Sequence, residues 1–500
     1  MAKSEVKWGA ILSYALIVFN SLYGLVIMPF VLSTIGESEY GVYKTIGAMT
    51  ATISVMELGL GGTMQKYIAQ YRALNEIKKS YNYSAMCLIQ AVIMSIAMAV
   101  VGCMLYFTLE PVYGNTFTST ELFRAKQVYI VLITYVVFHI FENVLFGIIA
   151  GHNRFVFSNS VKLIAIIVKI LIYIIILPIF KNSLAIVLTM LVLEFAIIFI
   201  ECIYIKRILK HKIKLYAWDK AVFKETFIYT ILLFVQSIII QFNGNVDNIV
   251  IGSVIGTSAV TVYSFAIQIF NMYEQCSTSV SGVILPSVTK AVYGGATTKE
   301  LEDMVVRYGR IQWAVLGAAL GGFICLGKEF FALWLGESFS DCYYLALILM
   351  VPVTFPLIVN TCLAILKAKN LLMFRTIALA YSAVINIILT VVGTRIFGYY
   401  AAAVGTAIST FVGSILSLNI YYQVKLKINI FKVYLRILHK ISFCILIPVV
   451  ICFFVNLYFY GTWITFISKA MVFIVIYGVL MLICGLNKSE KSKIFGRKFV

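Results

Sequence analysis

Apolar residues do not alternate along this chain; they run on. Stretches of membrane-spanning length follow one another from end to end, each needing roughly 20 residues to cross the hydrocarbon. Fourteen are read, at about 8–33, 42–68, 82–107, 126–149, 155–180, 184–205, 226–253, 258–289, 310–335, 342–366, 372–394, 398–424, 438–458 and 461–485. Unbroken runs of this kind form helices, because a spanning strand would alternate lipid-facing and lumen-facing positions. The polar interruptions are short. The longest outer one is about 108–125, and the longest inner ones are about 206–225 and 290–309. None could hold a soluble domain. The predicted fold is all-α and integral to the membrane, with about 14 transmembrane helices.

The pattern also repeats. Ile35-Gly36-Glu37-Ser38-Glu39-Tyr40-Gly41-Val42-Tyr43 returns in the second half as Ile255-Gly256-Thr257-Ser258-Ala259-Val260-Thr261-Val262-Tyr263. Both copies sit at the short outer turn between a first and a second apolar run. Span four exits through Ala150-Gly151-His152-Asn153-Arg154, and span ten through Leu366-Lys367-Ala368-Lys369-Asn370. An even number of spans per half keeps both halves in one orientation. The expectation is two six-helix lobes related by a pseudo-twofold along the membrane normal. Residues 1–205 form the first lobe, 206–225 a cytoplasmic linker and 226–424 the second lobe. Residues 425–500 add two helices and a basic cytoplasmic tail. Two similar bundles around one site is how transporters obtain alternating access.

Composition agrees: 62% hydrophobic, 12% charged, mean hydropathy +0.97. No soluble domain has that balance. The net charge of +19 would suit nucleic acid, but its distribution does not. With the N-terminus inside, most of the 40 Lys and Arg fall on the cytoplasmic side, while the acids divide almost evenly. That is the positive-inside rule, so the basic excess reports topology and anionic inner-leaflet lipid. Both termini are expected in the cytoplasm. Lys3 and Lys7 precede an apolar run too long for a secretory leader. Every cysteine except Cys342, near the outer surface, falls inside a span, so free thiols are expected.

An ionisable residue at membrane depth is costly and therefore a candidate for function. Glu57 lies in Glu57-Leu58-Gly59-Leu60-Gly61-Gly62, whose glycines allow close helix approach; it binds ligand or pairs with a neighbouring helix. Lys66, two turns on, lines a path or snorkels to the inner surface. In span eight Asn271, Glu274, Thr278 and Ser281 form a polar stripe, facing either a wet lumen or a helix seam. Span seven places Gln236, Asn243 and Asp247 on one face, where Asp247 binds substrate, holds a coupling cation or caps a turn. Span four offers Tyr135, His139, Glu142 and Phe146; His139 and Glu142 can hydrogen-bond at i, i+3 as a proton relay or a buried pair. Lys169, in the middle of span five, shares a face with Lys162 and needs an acid, a wet cavity or an anionic ligand. Glu194 and Glu201 lie one above the other in span six, Glu201 close enough to the inner surface to be solvated. Arg154 and Arg375 are further cations, and Lys469 has a structural or lipid-contacting role. No nucleophile motif, phosphate loop or zinc spacing occurs, and the outer loops are too small for a membrane glycan polymerase. An enzyme is not expected.

The chain resembles the polysaccharide-type flippases of the multidrug/oligosaccharidyl-lipid/polysaccharide exporter superfamily, over at least its first twelve spans. The resemblance is carried by Met28-Pro29 through Gly41-Val42-Tyr43, by Glu57-Leu58-Gly59-Leu60 with Lys66-Tyr67-Ile68-Ala69, by Asp247-Asn248-Ile249-Val250-Ile251-Gly252 with Gly256 and Tyr263, and by Gly398 to Gly405. The family usually shows Asp-x-Gly-Leu followed by Arg where this chain has Glu57 and Lys66; charge type is kept. The resemblance implies movement of a polyprenyl-diphosphate-linked glycan from the inner to the outer leaflet, for capsule, O-antigen or exopolysaccharide. The lipid II branch carries arginines in its first and eighth spans, which this chain lacks at depth. A cation-coupled multidrug exporter of the same superfamily is the alternative. No cofactor is implied; the energy sources to consider are the membrane potential, H+ and Na+. The expected partners are the lipid-linked glycan, membrane lipids and glycan-assembly membrane proteins, with no nucleic acid, and the expected state is a monomer.

Overall fold

The computed structural model describes residues 8, 12, 15–16, 19–54, 60–218, 220, 224, 241, 244–369, 371–456, 458, 461–487 and 490–491, and not the side chains of 278–283 and 285–286. Every regular element among the described residues is helical. In the first half these are α1 (Met28–Ser54), α2 (Leu60–Ala73), α3 (Ile77–Tyr106), α4 (Leu109–Tyr113), α5 (Ser119–Gly151), α6 (Phe155–Phe180) and α7 (Ser183–Arg207). The second half has α8 (Thr257–Tyr293), α9 (Thr298–Leu335), α10 (Asp341–Ile358), α11 (Thr361–Ala368), α12 (Met373–Phe397), α13 (Tyr399–Thr410), α14 (Leu418–Lys425), α15 (Ile430–Leu438), α16 (Ile441–Asn456) and α17 (Trp463–Leu480). Ten helices among the described residues are long and apolar enough to cross a membrane, or 11 if the bent pair α15–α16 counts as one span. About fourteen were expected. One of the ten, Phe19–Ser54, takes in parts of the first two expected runs and breaks at Gly36; the end of the second run belongs to α2. The expected run 226–253 falls mostly outside the described residues.

The repeated nonapeptide shows why it recurs. Gly36 has φ 84° and Gly256 φ 121°, a region glycine enters freely and other residues resist. Each glycine ends one helix and lets the next start at once. The first copy packs against the start of the second. Thr261 Oγ1 donates to the Glu37 carbonyl at 2.8 Å. A Cβ on Gly41 would sit 2.1 Å from the Thr257 carbonyl oxygen, so only glycine permits that approach.

The chain divides into two compact units, Met1–Thr261 and Val262–Val500. The boundary lies past the 206–225 segment expected to join the lobes. Glu121 explains why the stretch just before it stays with the first unit: its Oε1 accepts from Ser38 Oγ at 2.5 Å and Thr257 Oγ1 at 2.7 Å.

In the first unit α5 is central. Its start is fixed by a capping box between Thr118 and Glu121. Along its length it packs against α2 through glycines. A Cβ on Gly147 would meet the Gly61 carbonyl at 2.6 Å, and one on Gly151 would meet Ile68 at 2.7 Å. Leu60, Met64, Ile68, Val144, Ile148 and Ile149 fill that seam. Past the end of α7 the following segment folds back over α3. Asn82 clamps it, accepting from the Tyr216 and Ala217 amides at 2.7 and 3.0 Å and donating to the Ala217 carbonyl at 2.8 Å. His211 is buried there, its Nε2 2.8 Å from Ser84 Oγ and its ring against His152.

Burial first, then the charges of His152 and Arg72, push the His211 imidazole down to about 3. The folded protein therefore holds His211 neutral where the unfolded chain protonates it, near pH 6.5. Stability from this group is complete above about pH 6.5 and is lost as pH falls toward about 3, by up to about 1.4 kcal/mol per pH unit. The thermal midpoint of the detergent-solubilised wild type should fall across that window, and the fall should shrink in His211→Gln. Identical pH slopes for the two proteins would contradict the assignment.

In the second unit α9 is the backbone of the packing, bounded by a capping box at Thr297 and Glu300. The two appended helices α16 and α17 pack on it. Ile445 lies against Gly317 and Gly321, and Phe473 against Gly321 and Gly322. Lys469 of α17 forms a buried ion pair with Glu329 of α9, and Glu329 also accepts from the Gly461 amide at 3.2 Å. The structural role weighed for Lys469 is therefore the one it has. Arg310 is held by Glu490 at 2.9 Å and by the Gly485 carbonyl at 2.6 Å. All ten cysteines are free. Cys342 is buried, donating to the Val262 carbonyl at 3.2 Å; it opens a helix that packs inward, so it does not offer the surface thiol its position in the sequence suggests.

Candidate functional site

Three helices of the first unit bring charge to one place. α5 contributes His139 and Glu142, α6 contributes Lys162 and Lys169, and α7 contributes Glu194 and Glu201. Seven residues are nearly two helical turns, so the two lysines project from one face of α6. Together with Asn20 and Tyr135, all of these except Glu201 line a cavity of about 260 Å³. That is room for about eight waters at liquid density, enough to hydrate charge that lipid would not.

The pairing is specific. His139 Nδ1 lies 2.8 Å from Glu194 Oε1 and 3.9 Å from Glu142 Oε2. The expected i, i+3 hydrogen bond between His139 and Glu142 is thus replaced by one across helices, because Glu194 presents its carboxylate at shorter range. Tyr135 stacks on the imidazole at 5.4 Å between centroids. Glu142 is buried, and Lys162 Nζ lies 2.9 Å from its Oε1 and 4.4 Å over the Phe146 ring. Glu201 is also buried, accepting from Ser158 Oγ at 3.3 Å. It was expected to be solvated; α6 covers it. His139, Glu142 and Glu194 place their ligand atoms within 4.8 Å of one another, but the Lys162 ammonium already stands where a bound cation would neutralise Glu142.

Lys169 differs from Lys162. Among the described residues its partner is the Tyr23 ring, 4.3 Å from Nζ. Tyr23 opens a π-helical turn, Tyr23–Ile27, and lies near Tyr173 at 6.4 Å between centroids. A cation–π contact attracts the ammonium without neutralising it. Among the described residues, half-buried Lys169 is therefore the cation of this cavity without a carboxylate at ion-pair distance.

Among the described residues, no other candidate lines this cavity. Glu57, Gln236 and Asn243 fall outside the described residues, as do the side chains of Thr278 and Ser281. Lys66 is exposed, 5.2 Å over the Tyr67 ring. Arg154 is exposed just after α5, and Asp247 is buried in the helical residues before Gly256. In the second unit Asn271 is exposed and Glu274 half-buried on α8, and Arg375 is half-buried on α12. Asn20 and Tyr23 were missed as site residues. Nothing in sequence spacing links them to α6; only packing brings them there.

Comparison with known proteins follows from this architecture. No curated protein matches the sequence. The lipid II flippase MurJ, in an inward closed conformation, superposes with a TM-score of 0.70 at 16% identity, covering 95% of this chain and 98% of that one. An inward-facing multidrug resistance MATE family transporter of the MOP superfamily gives 0.65 at 16% identity, covering 83% and 96%. An outward-facing one gives 0.53 at 17% identity, covering 85% and 96%. At such identities the likeness is one of fold. The family model for polysaccharide biosynthesis proteins matches residues 6–293, more than half of the chain. A multi-pass helical membrane protein, with this fold and this match, belongs to the polysaccharide biosynthesis protein family and is built like the MOP-superfamily transporters.

Proposed function

We propose that this protein moves a polyprenyl-diphosphate-linked oligosaccharide, a repeat unit for capsule, O-antigen or exopolysaccharide, from the inner to the outer leaflet of a bacterial plasma membrane by alternating access. The observation that carries the reading is Lys169. An ammonium halfway along a membrane helix, facing a cavity of about 260 Å³ with an aromatic ring for company, needs an anion, and a diphosphate supplies one. The sugars take the polar and aromatic groups, and the isoprenoid remains in lipid. Outward movement of the anionic head is favoured by an inside-negative potential, by about 2.3 kcal/mol per charge per 100 mV. The transport needs no nucleotide and no bond-breaking step. A proton or Na+ is a candidate co-substrate, and glycan-assembly membrane proteins are candidate partners.

The second reading is a cation-coupled multidrug exporter. It draws on Glu142 and Glu194, which line the same cavity. Deleting the gene in its native host separates the two. The flippase reading expects loss of surface glycan and accumulation of lipid-linked oligosaccharide on the inner leaflet, with unchanged sensitivity to cationic drugs. Normal surface glycan with heightened drug sensitivity would replace it with the exporter.

A further inference from the structure

We infer that Tyr23 is a positioning residue for the diphosphate: its ring holds the Lys169 ammonium from behind, so that the charge already faces the cavity when the anion arrives. The inference rests on the diphosphate reading above.

Two helical stretches build the contact. Lys169 and Tyr173 stand one turn apart on α6, on the same face. Across from them, the helical stretch that runs into α1 departs from α geometry over Tyr23–Ile27. It forms a π-helical turn, of the kind that recurs at functional sites. The Tyr23 ring centroid lies 4.3 Å from Lys169 Nζ and 6.4 Å from the centroid of Tyr173. Tyr173 is buried, and its hydroxyl donates to the Ile186 carbonyl of α7 at 3.3 Å. The aromatic wall beside Lys169 is thereby braced by a third helix.

The two sides of the ammonium differ. Lys169 lines the cavity, and so does Asn20, one helical turn before Tyr23; Tyr23 itself does not. The ring therefore stands on one side of the nitrogen and the open volume on the other. An aromatic face is negative and attracts the ammonium, yet it carries no net charge. The field of the cation toward the cavity is kept. A carboxylate in the same place would cancel it, as Glu142 does for Lys162 at 2.9 Å. Tyr23 also acts on entropy. A lysine side chain loses much rotamer freedom when it is fixed on a ligand. The ring has removed part of that freedom beforehand, and a pre-organised group binds more tightly. Ring and anion can hold the ammonium at once, because they approach it from opposite sides. The ring therefore strengthens anion binding instead of competing with it.

The test uses the full-length protein in nanodiscs. The probe is farnesyl-diphosphoryl-N-acetylglucosamine, with affinity measured by calorimetry. Tyr23→Phe keeps the ring and removes the hydroxyl, and should bind close to wild type. Starting from that variant, mono-, di-, tri- and pentafluorophenylalanine are placed at position 23 by nonsense suppression. Fluorine draws electron density from the ring face at nearly constant size, so it weakens the attraction for a cation and leaves the packing alone. Affinity should fall stepwise along the series, by about 2- to 30-fold in total. Tyr23→Leu should match the end of the series. In a Lys169→Ala background the series should be flat. A ring with a merely structural role would give a flat series in the presence of Lys169 as well. That outcome overturns the proposal, as does affinity that rises with fluorination, or a series that still falls without Lys169. Each leaves the diphosphate reading standing so long as Lys169→Ala binds the probe more weakly than wild type. If wild type binds it no better than Lys169→Ala does, the diphosphate reading fails and this proposal fails with it.

Discussion

Lys169→Ala is expected to abolish surface glycan while the protein still reaches the membrane in normal amount. The residue is half-buried in α6, and its ammonium has the Tyr23 ring at 4.3 Å as its partner among the described residues. Removing it breaks no ion pair among the described residues, so the fold should survive. What disappears is a positive charge that faces the cavity. A charged hydrogen bond to phosphate is worth about 1.5–3 kcal/mol, and more where water is scarce. Export should therefore drop by about 10- to 160-fold, and by more where water is scarce, since each 1.36 kcal/mol is tenfold in rate. Lys169→Arg should keep partial activity, because charge persists while the planar fork differs in shape. Quantitative surface-glycan labelling, set against an immunoblot of the membrane fraction, gives the answer. Normal export from Lys169→Ala would remove the central support of the flippase reading. Loss of drug efflux in its place would point to the exporter.

The largest effect on stability is expected at the opposite end of the chain. Lys469→Met should cost about 3–5 kcal/mol, because it leaves the Glu329 carboxylate buried without its cation. One oxygen of Glu329 retains the Gly461 amide at 3.2 Å, which offsets part of the loss. The double variant Lys469→Met with Glu329→Met should recover most of it, since two apolar groups of similar size replace a pair that had to be desolvated. The readout is the thermal midpoint of the detergent-solubilised protein, followed by size-exclusion chromatography. A single variant as stable as wild type, or a double variant worse than the single, would show that the pair does not hold α17 to α9.

The helical character of the chain and the two repeated turns could be read from the residues, while the count of about fourteen spans stands against ten or 11 among the described residues. Unbroken apolar runs leave the backbone no partner but itself in lipid, so they must be helical. The recurrence of Ile-Gly at 35–36 and 255–256 marked two turns that need positive φ, and both glycines have it. The glycines after Glu57 were legible as a close-packing face, and Gly61 meets α5 at Asn143 and Gly147. Lys162 and Lys169 could be placed on one face because helical periodicity is local.

The partners of the charges were not legible, for a physical reason. A buried charge is neutralised by whatever lies within a few ångströms, and in a bundle that neighbour usually belongs to another helix at a sequence distance no periodicity encodes. His139 takes Glu194, 55 residues away, in preference to Glu142 on the next turn. Lys469 takes Glu329, 140 residues away. Cys342 lies at a helix start that looks superficial in sequence and is buried by packing. The sequence by itself determined that this is a helical membrane protein with a repeated turn and a handful of charges at depth. The tertiary structure decided which of the described charges neutralise each other, and it sets Lys169 against the Tyr23 ring where Lys162 has a carboxylate.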